Sequence, residues 1–386
     1  MPLYRLAVQT LADTDPRTRP RLLRSPYQPG PVAAWSAARG PGAAASAPPG
    51  TSVARLAARR HLAGHAEQLR ALVHSFAGLY LAHGGVHTRA ALAAWLARDA
   101  GAFAARCLPL PGGPAARASG PAGSASGTAE PCADGREVLG GYAQLVHLLA
   151  DMTADAGHHG LAQEYHAISL GLARQAGDRR MYAITLRAMS AHAGRLGQPA
   201  HAAHLARLAM NSAPGDGDPA VRAYLLAQRA AAHAHAGERA AALADLATAD
   251  ELLARAPQDP GPFDSYGRAD LDFARARTHI ALGEHRSAAD ALERSLRHRP
   301  PGHHRATALT HALLAETVLR LGHLTRACEH WRAFLSALPV VRSRAVREAL
   351  GRLLRDLTPY RHHREAVPTL AMARAFAERL RDDPVL

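Results

Sequence analysis

The sequence contains no lysine; all 46 residues of its Lys-plus-Arg total are arginine. Beside the surplus of Ala, Gly, Pro and His, this reads as the usage of a GC-rich genome that avoids Lys codons. Cysteine is almost as scarce. Cys107, Cys132 and Cys328 are widely spaced, odd in number and form no CxxC, which argues against a disulfide framework and a zinc site. Aromatics make up 5% of the chain, and runs of Val, Ile, Thr and Tyr are few, so strands are not expected. There is no run of roughly 18 apolar residues of the kind that spans a membrane. The N-terminus MPLYRLAVQT has neither an apolar h-region nor a twin Arg, so no secretory leader is expected and the chain reads as cytoplasmic. GxxxxGK[ST], GxGxxG after a strand, GxSxG and HExxH are all missing, so no catalytic or cofactor-binding residue is assigned and no cofactor is expected.

What is present favours helix. Apolar residues are 48% of 386, and Ala, the best helix former, is the commonest residue. The expected fold class is all-α. The net charge is +14, and residues 1–62 carry nine Arg against two Asp. Such an excess attracts polyanions without sequence preference, which makes nonspecific nucleic-acid contact through residues 1–62 a candidate. No aromatics interleave there to stack on bases, so a solvated basic tail is the plainer reading.

Five regions follow from composition and periodicity. Residues 1–50, rich in Pro, Gly, Ala and Arg, read as disordered apart from one short helix near Tyr4–Leu11. Residues 51–107 read as a helical pair: Leu56, Leu69, Leu72, Val73 and Phe76 suit a 3.6 period, Gly84-Gly85 breaks it, and Thr88 is placed to cap a second helix over 89–106. Residues 108–133 read as a flexible linker. Residues 134–340 read as five helix hairpins, and 341–386 as capping helices over 342–357 and 364–380.

The hairpins show as a repeat. Gly157, Gly197, Gly237, Gly283 and Gly322 lie 40, 40, 46 and 39 residues apart. Seven residues before each stands Ala150, Ser190, Ala230, Ala276 or Ala315. Five after stands Ala162, Ala202, Ala242, Ala288 or Ala327, and twelve after stands Ser169, Ala209, Ala249, Ser295 or Phe334. A Gly between two helices supplies the positive-φ turn of an antiparallel hairpin. Small residues on both helices let their axes approach and let the next hairpin stack. One hairpin cannot bury its own apolar face, so the copies must stack.

This pattern, with Pro300 closing the fourth copy, resembles the tetratricopeptide repeat, with units of about 40 rather than 34 residues. The resemblance implies a right-handed superhelical solenoid. More narrowly, LADMTADAGHHGLAQEYHAISLGLARQAGD and AITLRAMSAHAGRLGQPAHAAHLARLA resemble the repeat half of actinobacterial regulators that carry an Xre-type helix-turn-helix. That likeness implies a regulator of development or secondary metabolism whose repeats sense a peptide, protein or small ligand. The chain departs from it at residues 1–62, which hold seven Pro before Ala47 and no recognition helix.

The 24 His give no metal site by spacing: His201 and His204 share a helix face, and His303-His304 and His362-His363 are adjacent pairs, none with a further ligand at hand. Asp216 and Asp218 in PGDGDP lack the ligands of a calcium loop and read as a turn. The expected function is therefore recognition by a non-enzymatic protein. Projection from the turn glycines places Gln144, His147, Asp151, Arg187, Tyr224, Asp270, Phe273, Arg277 and Glu316 on a concave groove suited to a peptide or protein partner. The alternative is a DNA-binding transcriptional regulator with a ligand-sensing repeat domain, and a homodimer is compatible with either.

Overall fold

The structure is a computed structural model that describes residues 2–29, 52–107, 133–215, 217–256 and 266–381. Among them it is all-α, without strands. Its centre is a run of helix pairs: α5 (Ala133–Asp155) with α6 (His159–Ala176), α7 (Arg179–Arg195) with α8 (Pro199–Ser212), α9 (Pro219–His235) with α10 (Arg239–Ala254), α11 (Arg268–Ala281) with α12 (His285–His298), and α13 (His304–Arg320) with α14 (Leu324–Ala337). Each helix packs most extensively on the other member of its pair, and α5, α7, α9 and α11 pack on one another in succession.

The residue columns explain this packing. Gly157, Gly197, Gly237, Gly283 and Gly322 all have positive φ, between 71° and 89°, where a side chain is strained. All fifteen residues seven before, five after and twelve after these glycines are buried. The serines of the last column are also bonded. Ser169 Oγ donates to the Ala143 carbonyl at 2.9 Å in the first pair, and Ser295 Oγ donates to the Ala269 carbonyl at 2.6 Å in the fourth, at the same sequence offset. Ser190, in the first column, donates to the Ala202 carbonyl at 2.7 Å. The small residues thus pack the paired helices closely, and the hydroxyls leave no unsatisfied donor in the contact.

The links between pairs are caps. Asp178 accepts from Met181 N–H, and Asp218 accepts from Ala220 N–H with Pro219 at the first helical position. Asp218 therefore starts α9, as a turn residue should; Asp216 lies outside the described residues.

The N-terminal segment contains the helix expected near Tyr4–Leu11, but over residues 2–29 it is ordered well beyond that helix. Pro2–Thr14 forms α1 and Arg19–Leu23 forms α2. Leu3, Leu6, Ala7, Thr10 and Asp13 are buried at helical spacing, and α1 lies against α4 (Gly85–Cys107) and α6. Asp13 is fully buried, and both its oxygens accept from Arg89 Nη2, at 2.5 and 2.6 Å, with Tyr165 Oη donating at 2.7 Å. A short apolar stripe plus one paired buried carboxylate outweighs the disorder-prone composition around it. Residues 25–29 continue across α6, where Gln28 and Gln163 exchange two hydrogen bonds. The rest of the 1–50 region, and the linker over 108–132, lie outside the described residues.

α3 (Ser52–His83) and α4 form the expected pair, joined at Gly84 with φ +86°. Thr88 is not the cap of α4. It sits inside the helix, its hydroxyl bonded back to the Gly84 carbonyl at 3.0 Å, because the helix already begins at Gly85. At the C-terminal end, α15 (Arg344–Leu357) and α16 (Ala366–Arg381) pack on α13 and α14, with Ser343 capping α15.

The array returns to its own beginning. α13 packs on α3, Arg342 N–H donates to the His83 carbonyl at 2.7 Å, and Val86 N–H donates to the Arg342 carbonyl at 3.3 Å. The buried Asp155 at the end of α5 joins three elements. It accepts from Gly85 N–H at 2.9 Å, from Ser343 Oγ at 2.7 Å and from Arg305 of α13 at 2.5 and 3.1 Å.

Candidate functional site: a polar interior

The first helix of each pair carries the polar side chains that converge. On α7, Arg187 lays its guanidinium over the Tyr224 ring of α9, 3.9 Å from its centroid. Tyr224 in turn stacks at a tilt on Tyr266, which immediately precedes α11, with centroids 4.8 Å apart. From α13, Arg305 lies 5.0 Å from the Tyr80 ring of α3 while it holds Asp155. These side chains keep some contact with solvent yet stand surrounded by protein. Their ionisation shows the enclosure. Burial pushes the Tyr80, Tyr224 and Tyr266 phenols up. Arg277 on α11 is pushed down to about 10, first by burial and then by the charges of Arg195 and Arg187. Burial works against the Arg305 charge too, but Asp155, Tyr80 and Asp151 outweigh it and hold that guanidinium up.

Charge here is unevenly matched. Asp155 is taken by Arg305, Asp270 by Arg299, and Glu316 by Arg352 at 2.7 Å. Asp151 faces His147 and His166, each at 3.7 Å. Among the described residues Arg187, Arg195 and Arg277 make no ion pair. Arg187 Nε and Tyr266 Oη are buried without a hydrogen-bond partner.

Beside this patch runs a column of imidazoles. His147 and His166 meet edge to face at 5.8 Å, His166 and His192 lie 6.2 Å apart, and His159 Nδ1 approaches His192 Nε2 at 3.1 Å. Tyr27 of the N-terminal strap covers His192 at 5.3 Å. Burial lowers all four: His192 to about 2, His166 well below its ordinary value, His147 and His159 less. They are neutral at neutral pH. No group of three or more His, Cys, Asp or Glu among the described residues is placed to hold a metal ion.

Of the nine residues projected onto the groove, Asp151, Arg187, Tyr224, Asp270 and Arg277 share one electrostatic environment. His147 belongs to the imidazole column, bonded to Thr185 at 3.2 Å. Glu316 is engaged by Arg352 of α15. Phe273 packs against the apolar cluster of Ala276, Leu292 and Leu314, so its ring serves the core. Gln144 is half-buried without a bond to the others. Sequence reasoning missed Arg195, Tyr266, Tyr80 and Arg305. Arg195 stands two before a turn glycine, outside the projected offsets. Tyr266 lies ahead of its helix, and Tyr80 and Arg305 enter only because the two ends of the array meet.

The chain matches no protein-family model, and comparison with curated proteins finds no match either. No described helix is long and apolar enough to cross a membrane.

Proposed function

We propose that the helix pairs form a tetratricopeptide-like, right-handed superhelical solenoid whose inner face captures a peptide or protein partner and catalyses no reaction. The observation that carries this reading is the convergence of Asp151, Arg187, Tyr224, Asp270 and Arg277, from four helices, on one partly solvated interior. A mix of fixed cations, carboxylates and aromatic faces suits an extended or helical peptide. The resemblance to repeat-bearing actinobacterial regulators supports reading this capture as part of transcriptional control of development or secondary metabolism, in the cytoplasm. The test is a peptide array probed with the full chain and with the R187A/Y224A/R277A triple variant. The wild type binds a defined subset and the variant loses it; equal patterns for both defeat the reading.

Direct DNA binding is the second reading, and α2 with its flanks favours it: Arg19 and Arg21 on the helix, and Arg17 and Arg24 beside it, are all exposed. Deleting residues 1–62 is a poor test, because it removes Leu6 and Asp13 from the core. The R17Q/R19Q/R21Q/R24Q variant is better. Affinity for a generic duplex that falls steeply with salt and is lost in this variant supports the reading; unchanged affinity removes it.

A further inference from the structure

We propose that the interior holds an oxyanion site, built by Arg187 on the stacked rings of Tyr224 and Tyr266, with Arg277 and the exposed Arg195 adding positive charge from nearby, for the carboxylate or phosphoryl group of a ligand. The proposal rests on reading the inner face as the binding surface and names the chemistry that face selects.

The first support is unmatched charge. Five half-buried arginines of the array have carboxylate partners: Arg229 has Asp245, Arg275 has Asp250, Arg299 has Asp270, Arg305 has Asp155, Arg352 has Glu316. Arg187, Arg195 and Arg277 are the cations that crowd one another instead. The carboxylate left to balance them is Asp151, because Asp155 and Asp270 are already held by arginines. Arg187 and Arg277 are half-buried while Arg195 is exposed, so the local positive excess against one carboxylate is costly without a counter-ion chiefly for the first two. Burial first, and then the charges of Arg195 and Arg187, lower the affinity of Arg277 for its own proton, although it stays cationic at neutral pH.

The second support is unmet hydrogen bonding. Buried polar atoms in native proteins are almost always paired. Arg187 Nε and Tyr266 Oη are both buried and unpaired, and both belong to the stack that Tyr224 centres. Both can donate, so an anion's oxygen is the kind of partner each lacks. The stack also fixes the fork: with its plane held 3.9 Å over Tyr224, the Arg187 guanidinium is oriented for a carboxylate or phosphate before any ligand arrives.

The test uses the full chain at constant ionic strength, with citrate and pyrophosphate as probes and chloride as reference. One or both probes raise the Tm in a saturable way, and titration calorimetry gives one site per chain. A response to citrate alone marks a carboxylate site, and to pyrophosphate alone a phosphoryl site. Arg277→Met weakens the probe's affinity at least about tenfold, as loss of a charged hydrogen-bond partner should, and raises the Tm without probe because it removes the repulsion. Arg187→Gln, which keeps a polar side chain, supplies a second variant and also weakens binding. A wild type that responds to neither probe beyond chloride overturns the proposal. So does a response kept in both variants, or one abolished equally by Arg21→Gln on the exposed α2, since either is nonspecific charge. Peptide capture that survives Arg277→Met and Arg187→Gln overturns the oxyanion site while the capture reading stands. A saturable anion response with no peptide bound overturns capture and leaves the site.

Discussion

Asp155→Asn tests whether the ends of the array are held together by one carboxylate. The substitution keeps the volume and one acceptor oxygen but removes the charge. In the native chain that charge accepts two bonds from Arg305, one from Ser343 and one from Gly85. Breaking one side of a buried pair costs about 3–5 kcal/mol, because the partner is left charged and unmatched. Arg305 is 22% exposed at its side chain and can recover some hydration, which argues for the lower end, about 3 kcal/mol. Urea unfolding of the full chain measures the loss. Amide exchange locates it: His83 to Val86 and Arg342 to Ser343 exchange faster, while the Gly197 and Gly237 turns do not change. The double variant with Arg305→Met should be hardly less stable than Arg305→Met alone, since the carboxylate has then already lost its partner. A cost below about 1 kcal/mol, the range of a surface ion pair, together with unaltered exchange at the junction, refutes the closure argument.

Three further outcomes follow from local geometry. Gly160→Ala puts a Cβ 2.2 Å from the Ser25 carbonyl oxygen and must displace residues 25–29; limited proteolysis should cut there, and a chain as resistant as the wild type contradicts the strap. Gly237→Ala meets nothing within 4 Å but sits at φ +78°, so it costs only the roughly 1–2 kcal/mol of a left-handed residue, read as a lower urea midpoint with native peptide binding. Acid should weaken the fold through the imidazole column. His192 titrates at 6.5 when unfolded and at about 2 when folded, so its contribution is complete above pH 6.5 and declines as pH falls below it. The slope is about 1.4 kcal/mol per pH unit for each such histidine. Urea midpoints between pH 8 and 5 should decline less steeply in His192→Gln, and parallel curves for the two proteins rule this out.

The repeat was legible because it is made of absences. At Ala276, Ala288 and Ser295 no large side chain fits between packed helices, so a constraint of space appears directly as a column of small residues. The turn glycines are visible for a similar reason: their backbone demands the one residue without a Cβ. The helix near Tyr4–Leu11 was legible and lies within α1, but its packing was not, because the Pro, Gly and Arg beyond Thr14 hid the buried stripe of Leu3, Leu6 and Ala7. Its anchor, Asp13 with Arg89, spans 76 residues and has no local signature.

The interior shows the sharper limit. Offsets from a turn glycine fix which way a side chain leaves its own helix, and they placed Arg187, Tyr224 and Arg277 on a common face. They carry no information on what stands opposite. Phe273 shares Arg277's helix, four residues before it, yet the neighbouring α12 and α13 supply Leu292 and Leu314, which take the ring into the core. Glu316 occupies the same offset as Asp151 and Arg277, but α15 follows it and brings Arg352 within 2.7 Å. Arg277 finds no such partner, and the helices around it supply two more cations. Position in the repeat thus sets direction, while the succession of neighbours decides whether an inward-facing arginine is neutralised by the fold or left without a carboxylate of the chain's own.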